Sequence, residues 1–448
     1  MAEVMTINEL VQMLDHNEAA ELADYIEDFN AVDIAQLLPE LSDEQVWKLC
    51  SLLETENLAK VLEQAEDEQS VRMAESITND ELIEVFSYMQ KDDIADLIGE
   101  IPDAQRKMLI KQMQVRDRNA VQTLLQYPED SAGGIMTTAY ISLPEDMTVS
   151  DGMTKIKQTA EKTEVIETIY IVNAKHQLTG ICNLRQILTA QKNTMLKDIM
   201  NENVIAVHPE DDQEEVAKLV SRYDLNAIPV INNRRSIMGI ITVDDIIDVI
   251  VEEYNEDILE MAGVSKEESL STSLLESIKL RLPWLLINLG TAFLASLTVK
   301  AFEGTIAQVV ALSSTMTIVS GMGGNAGTQT QSILVRQLAQ DDIPRSKYWK
   351  AFWKEILLGV INGAVNGAVT GLIVYAVYGN AFLGIIILIA MIGNLVVAGI
   401  FGFVVPVLLK KLGADPAVAS SIFVTTATDV LGFFIFLGLA QLLLPLLV

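Results

Sequence analysis

Five apolar stretches follow Lys279, at about 282–302, 306–335, 351–378, 381–409 and 417–448. Each is long enough to cross the roughly 30 Å hydrocarbon core of a bilayer as a helix. No water is present there to satisfy the backbone, so a spanning segment must close its own hydrogen bonds, and helices are the expected form. Lys279 and Arg281 precede the first stretch. Arg336, Arg345, Lys347, Lys350 and Lys354 lie between the second and third, and Lys410 and Lys411 follow the fourth; only Lys300 falls on the opposite side. The positive-inside rule therefore predicts a multi-pass protein of the cell membrane with its N-terminal half in the cytoplasm and its C-terminus outside. The first residues, MAEVMTINEL, carry neither a basic region nor an apolar core, so no signal peptide is expected.

Charge divides the chain. The formal net charge is −30, yet residues 264–448 hold eleven Lys and Arg against nine Asp and Glu. Residues 1–263 hold the other twenty basic and fifty-two acidic residues. An acidic surface repels nucleic acid and attracts cations. Solubility alone would explain the excess; divalent-cation sensing is the sharper reading. Cys50 and Cys182 stand far apart in no metal-ligand spacing, which suits a reducing compartment.

Asp429 is the only ionisable residue from Pro416 to Val448. A carboxylate at membrane depth costs about 2.5–3.5 kcal/mol on insertion scales, so it is expected to face the protein interior or a water path. It would meet a cation or a proton there, or else bond a neighbouring helix. The second stretch holds Gly321-Met-Gly-Gly-Asn-Ala-Gly-Thr-Gln329. Such dense glycine lets helices approach or lets backbone open toward a path. Asn325 favours a pore-lining role, whereas Asn288, Asn362, Asn366 and Asn394 read as interhelical hydrogen-bonders.

Residues 1–125 read as short helices, with an echo between Asp33–Gln45, Asn57–Gln69 and Asp93–Gln105 at offsets of 24 and 60. Short stacked helices predict a small superhelix. A second repeat occupies about 135–250. Ile135-Met136 recurs at Ile199-Met200, Pro144-Glu-Asp146 at Pro209-Glu-Asp211, and Gly180 at Gly239. Each copy reads strand, helix, strand, turn, strand, helix, and the two resemble a tandem cystathionine-β-synthase-type (CBS) pair, a module that often binds adenine nucleotides. Thr242 followed by Asp245 suits a ribose hydroxyl; the first copy has Gln186 in place of the acid, beside Arg185. From Thr242 to about Gly263 runs one helical stretch with eight carboxylates in the seventeen residues Asp244–Glu260. These repel unless cations screen them. The stretch is either a solvated linker or a lever set by bound divalent metal.

This order of parts, with the glycine-asparagine motif, Asn394-Leu-Val, Lys411-Leu-Gly-Ala-Asp-Pro-Ala417 and Thr428-Asp-Val-Leu-Gly432, resembles the MgtE magnesium transporter/channel family over essentially the whole chain. The resemblance implies a helical N-domain at 1–130, CBS copies at 131–200 and 201–243, an acidic connecting helix at 244–264, and a five-helix transmembrane domain at 265–448. It also implies a homodimeric Mg²⁺-selective channel that cytosolic Mg²⁺ gates shut. The matching pore residues are Asp429, Asn325 and Thr425, with the 321–325 turn completing the path. The matching regulatory metal positions are Asp92 and Asp96, Asp224 and Asp245, Asp248, Glu253, Glu256 and Asp257, and Asp415 near the cytoplasmic mouth. ATP or another adenine nucleotide at Thr242, Asp245 and Arg185 is the further expectation. Two family prolines are missing, around Thr317 and Ile422.

Mg²⁺ releases its waters reluctantly and is usually held by one or two carboxylates. One Asp429 from each of two subunits fits that chemistry. No P-loop pattern is visible, and the inside-negative potential supplies about 4.6 kcal/mol per 100 mV for a divalent ion. His16, His176 and His208 are scattered, which argues against an enzyme. Two rivals remain at this stage: a proton-coupled divalent-cation carrier, and a membrane-anchored Mg²⁺ sensor that conducts nothing.

Overall fold

The computed structural model describes residues 6–16, 22, 31–160, 163, 165–270, 272–339, 347–418 and 420–447. Arg345, one of the basic residues expected at the inner membrane face, and Val448 lie outside them. The chain divides into two compact units, Met1–Ile250 and Val251–Val448.

The first unit opens with α1 (Ile7–His16), followed by α2 (Ala31–Leu37), α3 (Asp43–Leu52), α4 (Thr55–Glu63), α5 (Asp67–Glu75), α6 (Asn79–Val85), α7 (Lys91–Glu100), α8 (Asp103–Gln112) and α9 (Val115–Leu124). From α2 to α9 each helix begins twelve residues after the one before. The period is a packing rule. The seventh residue of each unit from α3 onward, Leu49, Val61, Met73, Val85, Leu97, Leu109 and Val121, is buried. Caps share the phase: Ser42 and Gln45, and Thr78 and Glu81, form reciprocal capping boxes at the starts of α3 and α6. Alternate helices pack together, α2 on α4 on α6 and α3 on α5 on α7, giving two layers around one core.

The CBS pair follows. Strand β1 (Ser142–Pro144) pairs parallel with β2 (Thr168–Val172), which pairs antiparallel with β3 (Leu178–Asn183). Helix α10 (Val149–Thr159) crosses between β1 and β2, and α11 (Leu184–Thr189) follows β3. The second copy holds α12 (Gln213–Tyr223), β4 (Ala227–Ile231) and β5 (Ile237–Thr242). Its expected first strand is reduced to a parallel bridge between Val207 and Val230. The repeated Ile-Met and Gly have one explanation. Thr137, at the start of the first copy, bridges to Ile240 of the second; Asn201, at the start of the second, bridges to Ile181 of the first. At each crossing a methionine lies over a glycine, Met136 on Gly239 and Met200 on Gly180, where a Cβ would overlap its sulfur.

Helix α13 (Val243–Met261) leads from the first unit into the second. The second unit comprises α14 (Leu274–Ala301), α15 (Glu303–Gln308), α16 (Ala311–Ala339), α17 (Tyr348–Tyr378), α18 (Ala381–Leu412), α19 (Ser420–Leu442) and the short α20 (Leu444–Leu447). Among the described residues, four helices are long and apolar enough to cross a membrane: α14, α17, α18 and α19. Helix α16 is equally long, but its glycine, serine and threonine content keeps it out of that set. The expected opening of its backbone at 321–325 is corrected: α16 is helical throughout. Its buried glycines serve close packing instead, as Gly323 against Asn394 and Gly327 against Val424 show.

The tightest contact joins α17 to α18. Gly359, Gly363, Gly367 and Gly371 recur every fourth residue on one face of α17. A Cβ on each would strike α18 backbone, at Leu395, Ile392, Leu388 and Gly384 respectively. Small residues at such spacing let two helices touch backbone to backbone, the main source of association where lipid removes any hydrophobic drive.

Candidate functional site

Asp429 sits nine residues into α19, ~14 Å along the helix from its start. Its carboxylate is half-buried and accepts a hydrogen bond from the hydroxyl of Ser320 on α16. Ser320 is buried and directly precedes Gly321, so the polar contact is made by the residue that opens the glycine motif. Thr425 is one turn away from Asp429 on α19 and is exposed. On α16 the exposed residues Ser314, Thr317, Gly321, Asn325 and Thr328 form one stripe at helical spacing, with exposed Ile318 at its margin. An exposed small and polar stripe on a helix inside an apolar bundle is suited to a water path or a second copy of the chain, not to lipid.

Asn394 of α18 holds this arrangement from behind. It is fully buried, its Nδ2 donates to the carbonyl of Val319 at 2.7 Å, and its Oδ1 has no partner. A Cβ at Gly323 on α16 or at Gly432 on α19 would overlap the Asn394 amide. The two glycines therefore make the space in which one amide joins three helices. Asn366, by contrast, bonds within its own helix to the Asn362 carbonyl. A second carboxylate within the bundle went unnoticed in the sequence: Glu355 of α17 accepts from the Thr330 hydroxyl of α16 at 2.9 Å.

In the first unit the structure brings together Asp92, Asp96 and Asp245. Asp92 and Asp96 lie one turn apart on α7, and Asp245 is in the first turn of α13. Glu63, Asp67 and Glu129 complete an acidic recess. Burial pushes the Asp92 carboxyl up to about 6, against the hydrogen bond from Thr137, while Asp245 and Glu63 push the same way. Asp96 is exposed at the rim of the recess. Lost hydration first, then Asp92, Asp67, Glu129 and Asp245, push it up to about 7. Asp245 is raised by burial against its bond from Thr242, with Asp244 and Asp248 adding to the rise. Oδ1 of Asp92 is buried without a hydrogen-bond partner. A divalent cation suits both features, since it supplies an electrophile to the orphaned oxygen and neutralises the facing acids. Among the described residues no three His, Cys, Asp or Glu side chains converge as an inner-sphere cage.

Asp224 stands apart from this recess in kind: it is exposed, at φ +50°, and caps the C-terminus of α12 through its backbone N–H to Val220. In the second unit a further acidic group forms at the end of α13. Glu260 is pushed up to about 7 by partial burial, then by Asp415, Glu256 and Asp257, with Lys266 opposing. Lys266 pairs with Glu256 at 3.0 Å. The structure thus joins Glu256, Asp257 and Asp415, and adds Glu260, whose role periodicity could not show. Glu253 lies on the same helix, and Asp248 is on α13 within the first unit.

The Thr242–Asp245 pair is also the N-cap of α13. The Thr242 hydroxyl donates to Asp245 Oδ2 at 2.5 Å, and its backbone N–H reaches the same oxygen at 3.4 Å. Arg185 is exposed in the first turn of α11, its N–H donating to the Asn183 cap.

A family model described as divalent cation transporter matches residues 316–439, the MgtE intracellular N domain matches 29–130, and CBS domains match 132–193 and 196–252. The magnesium transporter MgtE of Bacillus subtilis is 33% identical over 352 residues, covering 79% of this chain and 78% of its own length. That of Enterococcus faecalis is 34% identical over 322 residues, 72% of this chain and 71% of its own. A crystal structure of the cytosolic domain of the Mg²⁺ channel MgtE in complex with ATP superposes with a TM-score of 0.52 at 32% identity, covering 55% of this chain and 100% of that one. The soluble part of a magnesium transporter does so with a TM-score of 0.52 at 28% identity, over 55% and 97%. An N-domain stacked from short helices, a CBS pair, and a carboxylate-bearing helical bundle at a third identity over most of the length lead to one conclusion: the chain belongs to the MgtE family of magnesium transporters.

Proposed function

We propose that this chain is a Mg²⁺ channel or transporter of the cell membrane, working as a homodimer and closed by cytosolic Mg²⁺. The observation that carries the transport reading is Asp429, a carboxylate inside the bundle, oriented by Ser320 beside an exposed polar stripe of α16. Two such faces, one from each copy, would enclose a path with two carboxylates, which suits a largely hydrated Mg²⁺. In this reading α16 is the fifth spanning helix: pairing with a second copy hides its polar stripe from lipid. Asn325 and Thr425 line the same path. The basic residues around α14, α17 and α18 support an orientation with the soluble unit in the cytoplasm and the C-terminus outside.

The gating reading rests on the acidic recess. At low Mg²⁺ the carboxylates of Asp92, Asp96 and Asp245 repel across α7 and α13, and bound Mg²⁺ draws them together. The group at Glu256, Asp257, Glu260 and Asp415 does the same at the other end of α13, with Asp248, Glu253 and Asp224 as further acids on the cytosolic surface. A ligand that binds the closed arrangement better shifts the population toward it. The ATP-bound relative supports ATP or a related nucleotide at the CBS pair, with Thr242, Asp245 and Arg185 as its proposed contacts.

The deciding experiment is Mg²⁺ uptake into proteoliposomes holding the full chain. Wild type should transport, Asp429→Ala should lose at least about tenfold in rate, and raised Mg²⁺ on the soluble-domain side should suppress the wild type. Full uptake by Asp429→Ala would end the transport reading; uptake indifferent to Mg²⁺ on that side would end the gating one.

A further inference from the structure

We infer that Ser320 is a specificity-determining residue, which restricts how Asp429 meets a cation and so discriminates against Ca²⁺. The inference rests on the reading of Asp429 as the transport carboxylate and concerns a residue that reading leaves out.

An ionised carboxylate offers two oxygens and about four lone-pair directions. The Ser320 hydroxyl donates to Oδ1 of Asp429. The donor's place on its helix is held. Ser320 is buried in the middle of α16, and Val319, its neighbour, is pinned through its carbonyl by Asn394. Gly323, one turn further on, lets α16 lie against that amide. The serine backbone is therefore held in place by α18, and only rotation about its own Cα–Cβ bond would take the hydroxyl off Asp429. A serine in mid-helix ordinarily returns its hydroxyl to a carbonyl of the preceding turn. Here it is aimed across the helix pair at a charge.

The consequence is chemical. Ca²⁺ takes six to eight oxygens and readily accepts both oxygens of one carboxylate, whereas Mg²⁺ keeps most of its waters and uses a carboxylate through one oxygen or through water. A carboxylate with Oδ1 already engaged still serves a hydrated Mg²⁺ through Oδ2. It serves Ca²⁺ poorly, because the bidentate mode competes with the serine hydrogen bond. Discrimination then comes from a feature set against the competitor, not from tighter binding of the favoured ion. The same donor orients the carboxylate, as outer partners do for metal ligands generally.

The test measures Mg²⁺ uptake into proteoliposomes of the full chain under graded external Ca²⁺, for wild type, Ser320→Ala, Ser320→Thr and Ser320→Cys. Ser320→Ala should lower the Ca²⁺ concentration that halves Mg²⁺ uptake by about three- to tenfold, the scale of one charge-assisted hydrogen bond. Ser320→Thr, which keeps the hydroxyl, should restore wild-type discrimination. Unchanged Ca²⁺ inhibition in Ser320→Ala, or an equal change in the alanine and threonine variants, overturns the inference. If Ser320→Ala does not assemble, Ser320→Cys decides: it is similar in size and a weak donor, so increased Ca²⁺ sensitivity supports the inference and wild-type behaviour overturns it. Asp429→Ala in the same assay separates the two readings. Persistent uptake there removes the transport reading itself, whereas lost uptake with an unchanged Ser320 series removes only the inference.

Discussion

Asn394 shows how much one side chain can organise. Its amide bonds the Val319 carbonyl, and two glycines on two other helices exist to admit it. Asn394→Ala should cost about 1–3 kcal/mol, the price of a lost buried hydrogen bond and the void it leaves. Thermal unfolding in detergent would read this as a lowered midpoint. Gly323→Ala should be more harmful, since its methyl overlaps the amide, but harmless once Asn394 is already alanine. A double-mutant cycle that found the two effects simply additive would contradict the contact. At this scale the sequence was legible where a residue is costly in itself. Asp429 announced itself as the lone ionisable group in an apolar run. Ser320 did not, because a serine in a membrane helix is unremarked until its partner on another helix is known. Glu355 was hidden by its neighbours, Lys350 and Lys354, which make it read as part of a charged helix end. Asn394 was correctly expected to bond between helices, and Asn366 was not an instance of it.

Among the elements, α17 and α18 behave as one body. Four glycines at a spacing of four bring backbone against backbone over about 18 Å of α17. A branched side chain there must push the helices apart. Gly363→Val and Gly367→Val should each cost about 1–3 kcal/mol, and the pair should abolish stable protein, measured as monodisperse yield after detergent extraction. Substitution at Gly304 or Gly290, where a Cβ meets nothing within 4 Å, is the matched control and should be tolerated. The ladder is legible from the spacing of Gly359, Gly363, Gly367 and Gly371, but the spacing does not name α18 as the helix it meets. The N-domain repeat was visible only as offsets of 24 and 60, because each unit contributes few apolar positions and caps vary from Ser42 to Gln90 to Pro102. Both offsets are multiples of twelve, and the helix starts show twelve to be the unit itself.

For the whole molecule, the raised carboxyls of Asp92 and Asp96 couple folding, protons and Mg²⁺. Their values in the folded chain, about 6 and about 7, stand above the ordinary aspartate value of 3.8. The folded protein therefore holds protons that the unfolded chain has released between about pH 4 and 7, and it loses stability as pH rises through that window. Mg²⁺ binds the ionised form, so its stabilising effect should grow over the same range. Full-length protein treated with trypsin should show greater Mg²⁺-dependent protection at pH 8 than at pH 6. Asp96→Asn should flatten the difference, and equal protection at both pH values would count against the coupling. The acidic imbalance of the first 263 residues pointed toward cation sensing. Composition could not say which acids face one another; that is decided by α7 lying opposite the start of α13 within the same unit.

The twelve-residue phase of the N-domain also sets rules for insertion and deletion. Removing one whole unit from α2–α9 keeps every later cap and buried position in step, so such a chain can still stack and simply becomes shorter. Removing eleven or thirteen residues leaves one junction a residue too long or too short, so the helix after it must re-enter the stack with its cap or its buried position displaced. Whole units are therefore the changes in length that this domain accommodates with least repacking.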